Sequence, residues 1–395
     1  MAIRRISSEE RLTTSFPLQS YAFERSPANA AATQETRQYL PYNEGNVTLV
    51  AEESDTVVAA ASAIPMRQNI RGTVFPMAGI AGVATHPLAR RQGHVRRLLT
   101  QLLGEMRDEG HAATALYPFR PSFYERFGYV GFPKPRTVTF SPADLNHFLR
   151  LDLPGEVTWQ RIKDGYDTYR DFIHRSLAER HGFAAFPDYR AARQRDSDEE
   201  WLVMAVVDGE TVGAVTYRIE DHAGDLLAGD LLTTGPVGRA LLLQFFARHV
   251  DQVARVTTTV SANESPELWA TDFAAHTEAK ISFPGSSAPM ARILSMEALH
   301  GIAAGPGRVT IEVVDDPFIA GTYLLNGEGG RLEVTAERAA TPAATLTAAG
   351  ISALVYGVLD PVEVALRGFG AVPDAAATAL RGIFPPRTPR LFASF

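Results

Sequence analysis

The chain has no cysteine. This excludes disulfide bonds, thiolate metal sites and a cysteine nucleophile, and it points to a reducing or indifferent compartment. Long apolar runs are missing too. No segment approaches the roughly 18 residues that a membrane helix requires, and the stretch Met1 to Glu10 carries no apolar signal core. Both absences predict a soluble cytoplasmic protein without a membrane span. Nor is positive charge in excess. A net charge of −7 and an isoelectric point near 5.8 argue against a nucleic-acid partner. They favour cationic partners weakly, because the acidic residues are spread along the chain.

What is present is enough apolar material for several cores. The chain has 395 residues, 45% of them hydrophobic, so it should divide into two or three domains. The most informative stretch runs from Ile80 to Met106. Up to Pro87 it has the small and β-branched residues of a strand. Beyond Gly93, the residues Val95, Leu98, Leu99, Leu102, Leu103 and Met106 recur at helical spacing, with Arg96, Arg97, Gln101 and Glu105 opposite. Between strand and helix lies a basic turn, Arg90 to His94. A helix start presents unpaired N–H groups and the positive end of the dipole, which suits a phosphate. Gly93 lets a backbone approach a ligand closely, and Arg90, Arg91 and Arg96 can add charge-assisted hydrogen bonds. A second, aromatic segment follows at Phe123 to Tyr129. A nucleotide-free α/β domain with a basic turn and a packing segment would show the same two features.

The order of strand, Arg-x-x-Gly turn, amphipathic helix and Tyr-bearing segment resembles the GNAT N-acetyltransferases. The resemblance implies an α/β (α+β) fold, a mixed central sheet with flanking helices, and acetyl-coenzyme A as co-substrate. It assigns cofactor binding to Val83, Ala84 and Thr85 on the strand. In the turn and helix start it assigns Arg90, Arg91, Gln92, Gly93, His94, Val95 and Arg96. Phe119 and Arg120 lie where such a sheet splays and are secondary cofactor-contact candidates, with a plain strand-to-helix loop as the alternative. Tyr124 takes the role of the acid that protonates the leaving thiolate. Val95 departs from the family pattern, which has Gly or Ala at that position. No metal is implied.

Taken in order, residues 7 to 40 read as two helices, the first opened by Ser8 and the second by Pro27. Phe16, Tyr21 and Phe23 read singly as core, or as an overhang of the acceptor site in a GNAT fold. Val47 to Ala51 and Val57 to Ile64 form a hairpin, Val74 to Thr85 the central strand, and Ala112 to Tyr117 the next one. Tyr129 to Phe132 and Arg136 to Phe140 are expected to close this sheet. Residues 146 to 290 echo the layout, but their Gly235 to Gly238 turn has no arginine pair and Pro236 cannot donate an N–H. Residues 291 to 395 place strands before helices and resemble the sterol carrier protein fold. The tail from Pro385 to Phe395 is stiffened by prolines and ends in apolar residues, so it should dock rather than hang free.

A catalytic GNAT domain (1–145), a degenerate GNAT-like domain (146–290) and a sterol-carrier-like domain (291–395) together resemble the Eis (enhanced intracellular survival) acetyltransferases. The resemblance covers the full length. It implies direct acetyl transfer, in a ternary complex, to primary amines of small cationic substrates such as aminoglycosides. It also implies a homo-hexamer and a C-terminal carboxylate, that of Phe395, at the active site. No His or Glu of the first domain stands out as a base by motif; His86, His94 and His111 read as backbone contacts or surface. The Phe395 carboxylate is therefore the candidate base. With a reference pKa of about 3.5, it would need burial or a water relay to accept an ammonium proton. Two rivals stand beside this reading. One is a non-catalytic lipid or ligand carrier built on the C-terminal domain; the other is a GNAT enzyme that acylates protein lysines or uses longer acyl groups. Acceptor choice is expected in the loops Phe16 to Arg25 and Ile64 to Arg71.

Overall fold

Alternating β-branched and small residues carry the chain into a long antiparallel meander. In the computed structural model, residues 2–24, 26–27, 29–337 and 339–395 are described. Met1, the first residue of the expected catalytic domain, and Arg25, the end of the expected acceptor loop, lie outside them. The strands are β1 (Ala2–Ile6), β2 (Val47–Glu53), β3 (Thr56–Ile70), β4 (Thr73–Thr85), β5 (Ala113–Leu116) and β6 (Val130–Gly131). The helices beside them are α1 (Ser15–Phe23), α2 (Ala30–Gln38), α3 (His94–Asp108) and α4 (Pro121–Glu125). The hairpin between β2 and β3 turns through Ser54 and Asp55, both at positive φ, a conformation that short polar residues tolerate.

Packing divides the chain into two compact units, one of Met1–Phe132, Arg180–Ala191 and Phe283–Phe395, the other of Pro133–Glu179 and Ala192–Ser282. In the first, the sheet order is β1, β2, β3, β4, β5, Met290–Ile293, β6, with Ala184–Ala185 joined to β3. Only β4 and β5 run parallel, and α3 is the crossover between them. Leu98, Leu99, Leu102, Leu103 and Met106 of α3 are buried on one face of this sheet. Burial of each such side chain contributes roughly 1.5–3 kcal/mol. The other face packs against a second sheet formed by residues 308–371 and its helix Ala348–Tyr356, all of whose residues are buried.

The second unit repeats the parallel step. Leu226–Asp230 pairs parallel with Val256–Val260, and the helix Pro236–Ala247 crosses between them. At its start a Cβ on Gly238 would lie 2.3 Å from the Val212 carbonyl oxygen. This glycine serves close helix–strand packing.

Four expectations need correction. The expected acceptor loops are regular structure, since Phe16–Phe23 lies in α1 and Ile64–Ile70 in β3. Arg136–Phe140 belongs to the sheet of the second unit, and the first sheet is closed by Met290–Ile293 with β6. Pro133 and Pro135 cannot donate to a ladder, and the four buried residues of Met290–Ile293 supply the antiparallel partner that β5 needs. At the N-terminus, β1 and a short 3-10 turn, Glu9–Leu12, precede α1. There Ser7 and Glu10 exchange backbone-to-side-chain hydrogen bonds at 2.8 and 3.2 Å, whereas Ser8 makes no side-chain cap bond. The helix expected from Pro27 begins at Ala30, where the Asn29 side chain accepts from the Ala32 N–H.

Candidate active site

The site forms where β4 outruns β5. The parallel register extends from Met77↔Ala113 to Ile80↔Leu116 and stops there. Beyond it, Pro118 and the loop to α4 carry the chain away, and Ala81–Thr85 keeps a partner only on the β3 side. The two strands part at the loop that the sequence suggests. On the β3 side the register slips: Ser62 faces Ala81 and Ala60 faces Ala84, so Gly82 and Val83 together oppose Ala61. This is a β-bulge, and Gly82 takes φ +60° within it. Ala81, Gly82, Val83 and Thr85 are half-buried, and Ala84 is buried.

After β4 the chain turns through Pro87–Ala89 into α3. Arg91 (φ +64°) and Gly93 (φ +85°) both lie in the left-handed region. Gly93 is the N-cap of α3, and no side chain caps the helix. A Cβ on Gly93 would meet nothing within 4 Å; the glycine is needed for its backbone conformation. The open space belongs to a cavity of about 460 Å³. Thr85, Arg90, Arg91, Gly93, His94, Val95 and Arg96, all expected from the sequence, line it. Arg126, Phe123, Phe127 and Ala89 line it as well and were not expected. Four arginines and no carboxylate face this cavity among the described residues. An unpaired helix start ringed by guanidinium groups has the chemistry to hold a pyrophosphate.

Gln92 is exposed at the rim, and its carboxamide oxygen lies 3.2 Å from His94 Nε2. His94 is buried, with Nδ1 3.8 Å from Glu53 Oε1. His86 Nδ1 accepts the Leu88 N–H at 3.3 Å, and His111 Nδ1 lies 2.9 Å from the Met106 carbonyl. His86 and His111 thus engage backbone groups, and His94 engages side chains.

The aromatic segment connects the cavity to the parting of the strands. Phe123, in the cavity wall, lies 5.0 Å ring to ring from Tyr124, which in turn meets Phe119 at 5.7 Å and Tyr129 at 6.0 Å. Tyr124 is 3% exposed, and its hydroxyl makes no hydrogen bond among the described residues. Burial, with a smaller contribution from Tyr129, raises its pKa well above the ordinary phenol value. The group therefore stays protonated. Tyr129 is different: its oxygen accepts from Thr114 Oγ1 at 2.6 Å, and burial pushes its pKa up to about 12. Arg120 is exposed at the N-cap of α4, and Phe119 is 43% exposed; neither lines the cavity. The end of α4 is held from a distant part of the chain. Buried Arg292 donates to the Phe127 carbonyl and pairs with Asp316 at 3.0 Å. Nothing local in the sequence marks that contact.

Phe395 reaches the same sheet from the opposite face. Tyr124 belongs to the core that includes α3, and Phe395 packs on the core of the other face. The tail runs along residues 181–184, with Arg390 N–H to the His181 carbonyl at 3.2 Å and Phe392 stacked 4.7 Å from Phe183. Tyr117 donates to the Ala393 carbonyl at 3.2 Å, and its ring meets that of Phe395 at 5.6 Å. The tail is docked, as its composition suggests. Of the aromatic residues in α1, Phe16 is core at 7% exposure, but Tyr21 and Phe23 are exposed at 46% and 61%. Reading the latter two as core is corrected: they lie on the outer side of α1, and the Arg90 guanidinium sits 5.9 Å over the Tyr21 ring.

Residues 2–131 and, separately, residues 187–293 match the GNAT acetyltransferase domain. The chain carries two GNAT domains and is an acyltransferase. The same fold extends over whole solved chains. A probable N-acyltransferase of Enterococcus faecalis V583 aligns with a TM-score of 0.83 at 19% identity, over 100% of this chain and 99% of that one. A GCN5-related N-acetyltransferase from Kribbella flavida gives 0.79 at 23% identity, over 100% and 98%. Eis1 from Mycobacterium abscessus gives 0.79 at 18% identity, over the full length of both. No curated protein sequence matches the chain. Among the described residues, no helix of this tandem GNAT protein is long and apolar enough to cross a membrane.

Proposed function

We propose that the chain transfers the acetyl group of acetyl-coenzyme A to a primary amine of a small cationic molecule, with aminoglycosides as the first substrates to try. One observation carries the reading: an arginine-ringed helix start opens beside a bulged strand that has lost its neighbour, with a protonated tyrosine packed against Phe119 of the loop that leaves β5. The aminoglycoside assignment rests on the resemblance to Eis enzymes and on the net negative charge. When bound, acetyl-coenzyme A supplies an activated carbonyl and a thiolate leaving group. The first N–H groups of α3, with Arg90, Arg91 and Arg96, hold its pyrophosphate. Val83, Ala84 and Thr85 line its path along β4, with Gln92, His94, Val95, Phe119 and Arg120 as flanking contacts. The Val83 N–H stabilises charge on the carbonyl oxygen as the amine nitrogen attacks. Tyr124 gives its proton to the sulfur as the C–S bond breaks, and the Phe395 carboxylate accepts the proton released by nitrogen. One N–C bond forms, one C–S bond breaks, and one proton passes on balance from nitrogen to sulfur.

The proposed domains are 1–145, 146–290 and 291–395, the last sterol-carrier-like, with the second serving structure and only the first binding cofactor; two strands cross these bounds, Arg136–Phe140 pairing in the sheet of the second and Met290–Ile293 in the sheet of the first. The proposed assembly is a hexamer in the cytoplasm. The test is an acetyl-transfer screen with acetyl-coenzyme A against aminoglycosides, polyamines and lysine peptides, read by mass. A gain of one acetyl group on a small polyamine or aminoglycoside is expected. Acetylation of peptides alone would move the assignment to protein lysines, and no binding of acetyl-coenzyme A would leave the carrier.

A further inference from the structure

The bulge at Gly82 and Val83 is held from outside the sheet. Gln19, on α1, donates from Nε2 to the Gly82 carbonyl at 3.1 Å. Its side chain also fills the space beside the glycine, where a Cβ would lie 2.3 Å from Nε2 and 3.0 Å from Cδ. Phe16 and Leu18 of the same helix are buried and fix α1 against β3 and β4. The carboxamide is therefore presented from a packed helix.

Consequences follow for the next peptide. A trans peptide unit is planar, with its C=O and N–H pointing in opposite directions. Whatever holds the Gly82 oxygen therefore also sets the direction of the Val83 N–H, at the opposite edge of the peptide plane from Gln19. A bulge leaves this unit without a regular ladder partner, so its tilt is not determined by strand pairing alone. We propose that Gln19 is a positioning residue: by anchoring the Gly82 carbonyl it aims the Val83 N–H at the thioester carbonyl oxygen. Gly82 has a matching role. Only a residue without a Cβ both adopts φ +60° and admits the Gln19 side chain. The inference rests on the acetyl-transfer reading above and adds to it the residue that pre-sets the oxyanion donor. Preorganised donors are worth more than mobile ones, because they pay no reorganisation cost as charge develops.

The test uses the full-length protein and two variants. Gln19→Ala removes the contact; Gln19→Glu keeps the shape but replaces the donor with an oxygen that repels the Gly82 carbonyl. In both, the affinity for acetyl-coenzyme A should stay within twofold of wild type, while kcat falls roughly tenfold or more, a fraction of the loss seen when an oxyanion donor is deleted. A second readout does not depend on turnover. The isotope-edited infrared stretch of the bound ¹³C thioester carbonyl should be lowered in wild type and return toward its solution value in both variants. If either folded variant keeps the wild-type stretch and kcat, Gln19 has no positioning role. A wild-type protein that binds no acetyl-coenzyme A, or binds it without a lowered stretch, overturns the underlying reading instead. The two failures are thus distinguishable.

Discussion

The ring of Phe395 lies against Gly79, where a Cβ would come within 2.9 Å of its Cε2 and Cζ atoms and 2.8 Å of Met66 Sδ. The last residue of the chain thus packs on the central strand one residue before β4 and β5 part. Its seat exists because position 79 has no side chain. Gly79→Ala should therefore displace the tail at little cost to the fold, since the atoms in the way are the far ends of movable side chains. Deleting Ser394 and Phe395 should act likewise. Both should leave acetyl-coenzyme A affinity intact and lower kcat by roughly two orders of magnitude, the range of general base catalysis. Calorimetry and steady-state rates check this, and a wild-type kcat in the deletion would remove the carboxylate from the mechanism.

Gly93 offers a cleaner separation of backbone strain from charge. An alanine at its φ of +85° costs about 1–2 kcal/mol, but no clash arises. Gly93→Ala should lower the melting temperature slightly and retain measurable binding of acetyl-coenzyme A. Gly93→Asp should carry no more strain than alanine yet abolish binding, because its carboxylate would face the phosphates. Equal affinities for the two variants by calorimetry would contradict a pyrophosphate seat there.

Tyr124→Phe removes one hydroxyl that makes no hydrogen bond among the described residues. Stability and cofactor affinity should persist, and kcat should fall by roughly two to four orders of magnitude. The raised pKa of Tyr124 adds a sign to this. Since burial keeps the phenol protonated beyond its ordinary pKa of about 10, wild-type kcat should show no alkaline loss from this group below that pH. Near-normal turnover in the variant would pass the role to Tyr129, whose oxygen accepts from Thr114 and keeps its own proton to give, or to water.

His181 couples the tail to acid stability. Its Nδ1 accepts the Arg71 N–H at 3.0 Å, and its Nε2 faces the Tyr356 carbonyl at 2.9 Å, so the ring is neutral. Burial, reinforced by Arg71 and Arg387, lowers its pKa to about 4. A folded-state pKa below the unfolded value of about 6.5 means the contribution is complete above pH 6.5 and is lost as pH falls toward 4. His181→Gln should be less stable at pH 7.5 yet show a shallower fall in melting temperature between pH 6.5 and about 4. Parallel profiles for the two proteins would refute the coupling.

The legible parts of the sequence were those with a local physical code. Helical spacing marks α3, Gly93 marks a turn that only a positive φ permits, and an apolar, proline-stiffened terminus marks a docked tail. Each signal is complete within a few residues, so folding has little freedom to change it. The closure of the first sheet was not legible, because the choice between Arg136–Phe140 and Met290–Ile293 depends on which strand finds the edge of β5. Nor were the contacts that tune the site. Gln19 reaches Gly82 across 63 positions, Arg292 reaches Phe127 across 165, and buried Arg71 donates to Val355 across 284. Among the described residues Arg71 has no carboxylate hydrogen-bond partner; it caps carbonyls of Leu354, Val355 and Pro385, and burial draws its pKa down to about 9. A buried guanidinium of that kind is stable only once every element around it is in place. The sequence by itself determined the basic turn, its helix and the docking terminus. The tertiary structure alone decided which distant donors hold the bulge, the tyrosine helix and the tail in register, because such partners are selected by packing and leave no periodic trace in the chain.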